Sequence, residues 1–357
     1  MRRFAAGLAA LCLLTGGGRA AEVVYPDVVS GEAIEFPRDE GSHPSFRTEW
    51  WYVTGWVQDG SDEPLGFQIT FFRTRPGIDE DNPSRFAARQ LLFAHAAVSE
   101  PARGTLLRAE KSAREGFGLA AAARGALDVH IDDWSLRGEG ERYVASVATD
   151  TLQIELELVP TQPPLLQGER GYSRKGHRPT SASYYYSLPQ LRASGRIVLQ
   201  GRERRVRGVA WMDHEWSSSI LEAPARGWDW VGLNLDDGGA LMAFQIRDEQ
   251  FQEYWAAASL RDARGAATQY LASQVQWTPL RQWRSPRTGV RYPIEWRLTV
   301  GDRVLTLRPL MNDQENDARR STGTLYWEGA VRAFDAEQRE VGKGYLELTG
   351  YGSRLRF

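Results

Sequence analysis

HPSFRTEWWYVTGWV, residues 43–57, combines a dense group of aromatic residues with β-branched residues and has no helical spacing. This composition indicates a β-strand, whose side chains alternate between two faces. One face carries Trp50, Tyr52, Thr54 and Trp56, and the other carries Glu49, Trp51, Val53 and Val57. Both faces are largely apolar or aromatic, so we expect neither to be an ordinary wetted surface. A turn at Asp59-Gly60 and a second strand over 67–73 predict a hairpin.

The second half of the chain contains a similar hairpin. Trp228-Asp229-Trp230-Val231, a turn at Asp237-Gly238 and Phe244-Gln245-Ile246 follow the order of the first hairpin, about half the chain later. The recurrence favours a duplication, because Phe-Gln-Ile lies on the same side of an Asp-Gly turn in both copies. The alternative is two unrelated hairpins built from common β residues and a common turn.

Length and composition indicate two globular domains. A chain of 357 residues exceeds one ordinary core, and 13 Trp with 35 Gly suit short strands joined by tight turns. We predict an all-β protein with short helices, divided into domains at 22–203 and 204–357. A net charge of −2 and the lack of a basic stripe argue against a nucleic-acid partner.

The first 20 residues read as a secretory signal peptide. Arg2-Arg3 precedes a short apolar run, and Ala20 stands at a suitable cleavage position. We therefore expect a periplasmic or secreted protein. Its single cysteine, Cys12, lies inside this segment, so the mature chain would have neither disulfides nor thiolate ligands. The five histidines are far apart in sequence, and we predict no metal site and no cofactor.

Ionisable residues interrupt several of the apolar strands. Asp213, His214 and Glu215 stand between Met212 and Trp216, and other interruptions are Glu49, Glu328 and Glu347. A buried charge is costly unless it is paired. One interpretation is an internal ion-pair network with Arg47, Arg174 or Lys175. The other is a carboxylic acid that burial keeps protonated, able to give a proton to an alkene or a leaving group.

The motifs TEWWYVTG, GYSRKG with SYYYS, WMDHEWSSS, GWDWVGLNL with LMAFQIR, and YWEGAVR with GYLELTGY cover nearly the whole chain beyond the signal peptide. They resemble the family of predicted secreted hydrolases and carotenoid 1,2-hydratases, the AttH-type domain. The resemblance implies two lipocalin-like (calycin) β-barrel domains that bind or modify isoprenoids or other long apolar molecules. It also implies association with a lipid exporter, such as an ABC-type transporter.

The resemblance implies only part of a catalytic site. The hydratases' His-x-Trp matches His214-Glu215-Trp216, but their Tyr-x-Asp pair is replaced by Phe244-Gln245-Ile246. We predict Asp213, His214 and Glu49 as catalytic residues. The aromatic residues predicted to line a cavity for an apolar ligand are Trp50, Tyr52, Tyr184, Tyr186, Trp216, Trp230, Trp327 and Tyr345. Two alternatives to an acid-catalysed hydratase or hydrolase remain: a non-catalytic lipid carrier, and an adaptor whose aromatics are only core. The sequence leaves the oligomeric state open.

Overall fold

The computed structural model describes residues 23–61, 63–78 and 80–355, and this part of the chain is all-β. The predicted signal peptide, residues 1–20, lies outside the described residues. The strands are β1 Thr48–Gln58, β2 Leu65–Thr74, β3 Leu91–Ser99, β4 Leu107–Arg114, β5 Ala120–Ala122, β6 Asp128–Ile131, β7 Trp134–Glu139, β8 Arg142–Ala148, β9 Leu152–Val159, β10 Leu165–Leu166, β11 Tyr172–Arg174, β12 Ala182–Leu199, β13 Arg202–Ser219, β14 Ala225–Leu235, β15 Ala240–Asp248, β16 Glu253–Arg261, β17 Ala267–Leu271, β18 Val275–Arg284, β19 Arg291–Val300, β20 Arg303–Pro309, β21 Glu315–Ala318, β22 Thr324–Phe334 and β23 Glu340–Leu348. The helices are single 3₁₀ turns at Arg38–Glu40, Pro101–Arg103 and Ala272–Gln274. Among the described residues, no helix has the length and apolar character needed to cross a membrane.

The strands form two large antiparallel sheets. The first has the order β4-β3-β2-β1-β13-β12-β9-β8-β7-β6-β5, with β10 and β11 also paired to β12. The second has the order β17-β16-β15-β14-β23-β22-β20-β19-β18, with β21 paired to β22. The predicted hairpins are β1–β2 and β14–β15, and each lies well inside its sheet, with a further strand on either side.

Strand β1 is buried on both faces, as its composition predicts. Trp51 and Val53 belong to the core of the first sheet, on what we call its inner face. Tyr52 and Trp56 point to the outer face, where they pack against residues of the second sheet. The Trp56 indole donates a hydrogen bond to the carbonyl of Gly344, 2.8 Å away in β23. The aromatic stretch therefore serves two cores at once, one within the first sheet and one between the sheets.

The two hairpins are not equivalent in register. Phe67 lies opposite Gly55, whereas Phe244 lies opposite Trp230. Measured from Trp50 and Trp228, this is a shift of three residues. An odd shift reverses the face on which a side chain points. Phe67 accordingly packs in the inner core of the first sheet, and Phe244 packs between the sheets.

The change of sheet occurs later than the domain boundary predicted near residue 203. All of β13 pairs with β1 and β12 in the first sheet, and the second sheet begins at Ala225. The sheets therefore change over within residues 220–224. The polar, basic stretch 201–207 resembles a linker, but it lies at one end of the long β12–β13 hairpin. Gly201 forms the turn there with a φ of +83°.

Candidate functional site

A row of polar side chains crosses the outer face of the first sheet. Six residues lie opposite one another on six adjacent strands, so their side chains share this face: Glu110, His95, Thr70, Tyr52, Asp213 and Ser187. Opposed residues on neighbouring antiparallel strands have Cβ atoms roughly 5 Å apart. The row is therefore a continuous polar track through the largely apolar layer between the sheets.

A cavity of about 100 Å³ lies between the two sheets and includes the middle of this row. One water molecule needs roughly 10–15 Å³ on the same measure of volume, so the cavity has room for several groups of that size. Its walls are mainly aromatic and aliphatic. They are formed by Thr48, Trp50, Tyr52, Thr70, Phe72, Lys175, Asp213, Glu215, Ile220, Trp228, Trp230, Phe244, Ile246, Tyr326, Glu328 and Glu347.

Two glutamates of the second sheet face each other in this cavity. Glu328 of β22 lies directly opposite Glu347 of β23. Burial, reinforced by the neighbouring carboxyl group, raises the pKa of Glu328 well above its ordinary value. Burial also raises the pKa of Glu347, which accepts a hydrogen bond from the Trp228 indole at 2.9 Å. Like charges this close cannot both ionise readily, so the pair retains a proton near neutral pH.

One oxygen atom of Glu328 is completely buried in the cavity wall without a regular hydrogen bond. This atom, Oε1, and the hydroxyl of Tyr52 are both buried and make no hydrogen bond of ordinary geometry among the described residues, although the two groups lie close enough for each to shift the pKa of the other. Buried polar atoms are almost always satisfied. Both residues line the same cavity, where a bound ligand or water would complete their hydrogen bonds.

Asp213 is held firmly on the first-sheet side of the cavity. Its carboxyl group accepts hydrogen bonds from the Tyr185 hydroxyl at 2.7 Å, the Ser187 hydroxyl at 2.5 Å and the Trp211 indole at 2.7 Å. Burial raises the pKa of Asp213 to about 7. Trp230 reaches across from the second sheet and donates to the Tyr185 hydroxyl at 3.0 Å. Asp213 is thus fixed in place, with its oxygens already occupied.

Lys175 is the one cation among the residues that line the cavity. Its ammonium lies 2.9 Å from Glu215 Oε1, and this pair matches one of the predicted ion pairs. The ammonium also lies 4.2 Å from the centroid of the Phe244 ring and 4.7 Å from that of Tyr185. The cavity therefore already holds one buried positive charge against aromatic faces.

The other two predicted catalytic residues lie on the opposite face of the sheet. His214 Nε2 is 2.9 Å from Glu49 Oε1, and both side chains point into the first sheet. Asp213, next to His214 in sequence, points away from them, because neighbours on a strand alternate. The prediction therefore named residues of two separate clusters.

Glu49 is the centre of a closed network. Its carboxylate receives Arg73 Nε at 2.8 Å, His43 Nδ1 at 2.8 Å and the His43 backbone N–H. These partners hold the pKa of Glu49 well below its usual range despite complete burial. The predicted partner Arg47 is replaced by Arg73. Ligand atoms of His43, Glu49 and His214 lie within 4.8 Å of one another. A metal ion there would face the guanidinium of Arg73, an unfavourable charge for that site.

The predicted aromatic lining is divided among four places. Trp50, Tyr52 and Trp230 line the cavity. Tyr184, Tyr186 and Trp216 belong to the inner core around Glu49, and Trp327 belongs to the core of the second sheet. Tyr345 lies between the sheets but outside the cavity wall. Glu328 and Glu347 are not among the residues predicted to form the site. Both interrupt apolar strands, and this pattern is the sequence feature that could have identified them.

The sequence matches the AttH-like family model over residues 27–351. The chain belongs to the AttH-like family. A solved structure from Nitrosomonas europaea, assigned as an AttH, shares 49% identity with a TM-score of 0.86, covering 91% of this chain and 99% of that one. Kievitone hydratase from Nectria haematococca shares 14% identity with a TM-score of 0.70, covering 93% and 97%. CghA in complex with Sch210972 shares 15% identity with a TM-score of 0.55, covering 87% and 90%.

The two more distant likenesses concern the fold alone. They confirm the predicted all-β, lipocalin-like class, with two large antiparallel sheets of which one nearly closes into a barrel. No curated protein matches the sequence.

Proposed function

We propose that this AttH-like protein hydrates an apolar, unsaturated small molecule by acid catalysis in the cavity between its two sheets. The observation that carries this proposal is the Glu328–Glu347 pair, two carboxyl groups that face each other in an aromatic wall and whose pKa values burial raises. A neutral carboxylic acid in a dry site can donate a proton to a weak base such as an alkene. The substrate class is a long isoprenoid or lipid, as the family resemblance suggests, of which a cavity of about 100 Å³ would take only the reacting end.

Glu328 is the better proton donor of the candidate acids. Asp213 has three hydrogen-bond donors directed at it, which favour its ionised form. Glu215 is paired with Lys175. Glu328 has no cation beside it among the described residues and only the Tyr52 hydroxyl nearby to favour its ionised form, so burial raises its pKa well above its ordinary value. Its Oε1 makes no hydrogen bond of ordinary geometry.

The proposed reaction adds one water across one double bond. Glu328 transfers its proton to one alkene carbon, and the π electrons form the new C–H bond and leave a cation on the other carbon. The faces of Trp50 and Trp230 stabilise this cation, as Phe244 already does for the Lys175 ammonium. A water oxygen bonds to the cation and loses its extra proton to a cavity carboxylate, of which Asp213 is best fixed. The product is a neutral alcohol.

The distant structural neighbour that is named a hydratase is compatible with this chemistry, although its identity of 14% supports only the fold. Export of the protein, predicted from residues 1–20, remains part of the proposal, because an apolar substrate is expected at or near a membrane. A dedicated transporter partner is an expectation from the family resemblance alone.

The test incubates the purified protein with lycopene and squalene in detergent, in water labelled with oxygen-18. Hydration gives a product one water heavier, whose new oxygen carries the label. We expect Glu328→Gln to lower the rate by at least about 100-fold, because general acid catalysis contributes roughly that much or more. The matched control is Glu337→Gln, an exposed glutamate in the turn between β22 and β23, which should retain full activity.

Two results would contradict the proposal. In one, labelled product forms but Glu328→Gln and Glu347→Gln match the wild type, so the cavity acids play no chemical part. In the other, no polyene reacts while native mass spectrometry finds an unmodified apolar molecule bound to the purified protein. The second result would favour the carrier.

A further inference from the structure

A chain of hydrogen bonds connects the wall of the cavity with the outside of the protein. The Tyr326 hydroxyl lies 2.7 Å from His95 Nδ1, and His95 Nε2 lies 2.8 Å from Ser321 Oγ. Ser321 in turn donates to Glu110 Oε2 at 2.5 Å. Three of the residues, His95, Ser321 and Glu110, are outside the cavity lining, and the proposed reaction assigns none of the four a role.

The positions of the hydrogens follow from simple counting. Ser321 has one hydroxyl hydrogen and gives it to Glu110, so His95 Nε2 must carry a proton and donate to Ser321. His95 Nδ1 is then the acceptor for the Tyr326 hydroxyl. Burial lowers the pKa of His95 to about 3, with help from nearby Arg108, so the ring is neutral. This low pKa makes His95 a poor base for activating Ser321 as a nucleophile.

The two ends of the chain lie in different surroundings. Tyr326 lines the cavity and shares its strand face with Glu328, two residues further along β22. At the other end, Ser321 and Glu110 are only partly buried, in the turn before β22 and on β4. Every bond of the chain links the first sheet to the second or lies at their border. A hydrogen-bonded route from the partly exposed Glu110 to the cavity wall at Tyr326 thus runs along part of the polar row.

We propose that Glu110, Ser321, His95 and Tyr326 form a proton relay that exchanges protons between solvent and the Glu328–Glu347 pair. The relay deepens the proposed function and rests on it for its purpose, since an acid that gives a proton to substrate must regain one. A structural clasp between the sheets needs only donors matched to acceptors. Here every inner member both donates and accepts, which is the requirement for passing protons along a chain.

One inward transfer balances as follows. Transfer starts from the reverse arrangement of the same hydrogen bonds, in which Glu110 donates to Ser321, Ser321 donates to His95 Nε2, and His95 carries its proton on Nδ1. Glu110 gives its proton to Ser321 Oγ as Ser321 gives its own to His95 Nε2. His95 gives the Nδ1 proton to the Tyr326 oxygen, and Tyr326 releases its hydroxyl proton to a cavity water that passes a proton to the carboxylate of the pair. Each O–H or N–H bond that breaks is replaced by the next one formed. His95 changes tautomer, no member of the chain keeps a charge, and one proton moves from Glu110 to the pair.

The test measures proton exchange itself and needs no substrate. Protein is mixed rapidly into D₂O, and infrared spectroscopy follows deuteration of the protonated pair, whose carbonyl stretch is identified as the band that Glu328→Gln removes. We expect His95→Gln, which can bond both neighbours but cannot change tautomer, to slow this exchange by at least about tenfold. Tyr326→Phe should slow it similarly. Ser321→Ala, at the partly exposed end, guards against loss of folding in the two buried variants.

The matched control is Tyr345→Phe, which removes a hydroxyl from the same inter-sheet layer. Tyr345 lies close to Glu328, but its neighbour Ser99 is fully buried and leads nowhere near solvent. Its exchange rate should equal that of the wild type. Unchanged exchange in folded His95→Gln, Tyr326→Phe and Ser321→Ala overturns the relay whether or not the protein hydrates anything. Slowed exchange in a protein that hydrates no polyene supports the relay and counts only against the proposed reaction.

Discussion

Two clusters of buried carboxyl groups lie against opposite faces of the first sheet, and they differ in the cations near them. Glu49, on the inner face, contacts Arg73 and two histidines, and its pKa is lowered. Glu328, on the side facing the second sheet, contacts no cation within the described part of the chain, and its pKa is raised. Both groups are completely buried. Burial alone therefore does not decide the protonation of a carboxyl group; the charge of its neighbours does.

The comparison also separates two roles that look identical in sequence. A carboxylate whose bonds are all made can hold strands together but has little capacity left for a ligand. A neutral acid with a bare oxygen adds little to stability but can donate a proton. We therefore assign the Glu49 cluster to stability and the inter-sheet acids to chemistry. The predictions below test this division.

The largest expected effect is the loss of stability in Glu49→Gln. The substitution leaves the Arg73 guanidinium buried without its counter-charge, and breaking a buried pair in this way costs about 3–5 kcal/mol of unfolding free energy. Glu328→Gln exchanges one neutral group for another of the same size and should change that free energy by less than about 1 kcal/mol. Urea unfolding of the two variants at neutral pH provides the measurement. Equal losses in the two variants would remove the basis for the division.

A smaller effect is expected in the pH dependence of stability. Burial raises the folded-state pKa of Asp213 to about 7 from an ordinary value of 3.8, so between these values the folded protein binds more protons than the unfolded chain. The stability that protonated Asp213 contributes to the fold is then complete below the unfolded-state pKa and is lost as the pH rises through 7. We expect Asp213→Asn to remove a decline of about 3 kcal/mol between roughly pH 5 and pH 8. The Glu49 pair has the opposite sign, since its contribution is lost as the pH falls.

The measurement is the free energy of unfolding at a series of pH values for the wild type and Asp213→Asn. Glu337→Gln serves as the control, because an exposed glutamate should leave the curve unchanged. A wild-type free energy of unfolding that rises steadily from acid to alkaline pH would show that Asp213 is ionised throughout. Asp213 would then not belong to the carboxyl groups whose pKa is raised.

The fold was largely predictable because its signals are local. Alternation around Trp50–Trp56 identifies β1 and states correctly that both of its faces are buried. The boundary predicted near 203 falls at the end of the β12–β13 hairpin, where residues 201–207 are polar because that end of the hairpin is exposed. Phe67 and Phe244 match in sequence but do not occupy equivalent positions in their hairpins. A match of residue types does not reveal the strand register, which depends on the length of the loop between the strands.

The site was only partly predictable because it depends on pairing between distant strands. Alternation correctly places Asp213 and His214 on opposite faces. Nothing in the sequence states which sheet each face meets, so both were assigned to one site. The opposition of Glu328 and Glu347 follows from the register of β22 and β23, which neither segment of sequence specifies by itself. Acidic residues inside apolar strands correctly indicate buried carboxyl groups. The sequence does not show which strands pair, and that pairing decides which of these groups meet.

The smallest expected effect concerns the cation that the inter-sheet cavity already holds. Arg73 in the Glu49 cluster is neutralised by a carboxylate, whereas Lys175 has both Glu215 and the face of Phe244. A cation–π contact contributes about 1–2 kcal/mol when it is largely desolvated. We expect a double-mutant cycle of Lys175→Met and Phe244→Leu to give a coupling energy of about that size, measured by urea unfolding.

The control cycle pairs Lys175→Met with Phe67→Leu, because Phe67 lies in the inner core away from Lys175 and should show no coupling. The result bears directly on the proposed reaction. A carbocation in this cavity can rely on the aromatic wall only if that wall measurably stabilises the ammonium beside it. A coupling energy of zero for Lys175 and Phe244 would mean that Glu215 alone holds the charge. The carboxylates, rather than the tryptophans, would then have to stabilise the cation formed from the substrate.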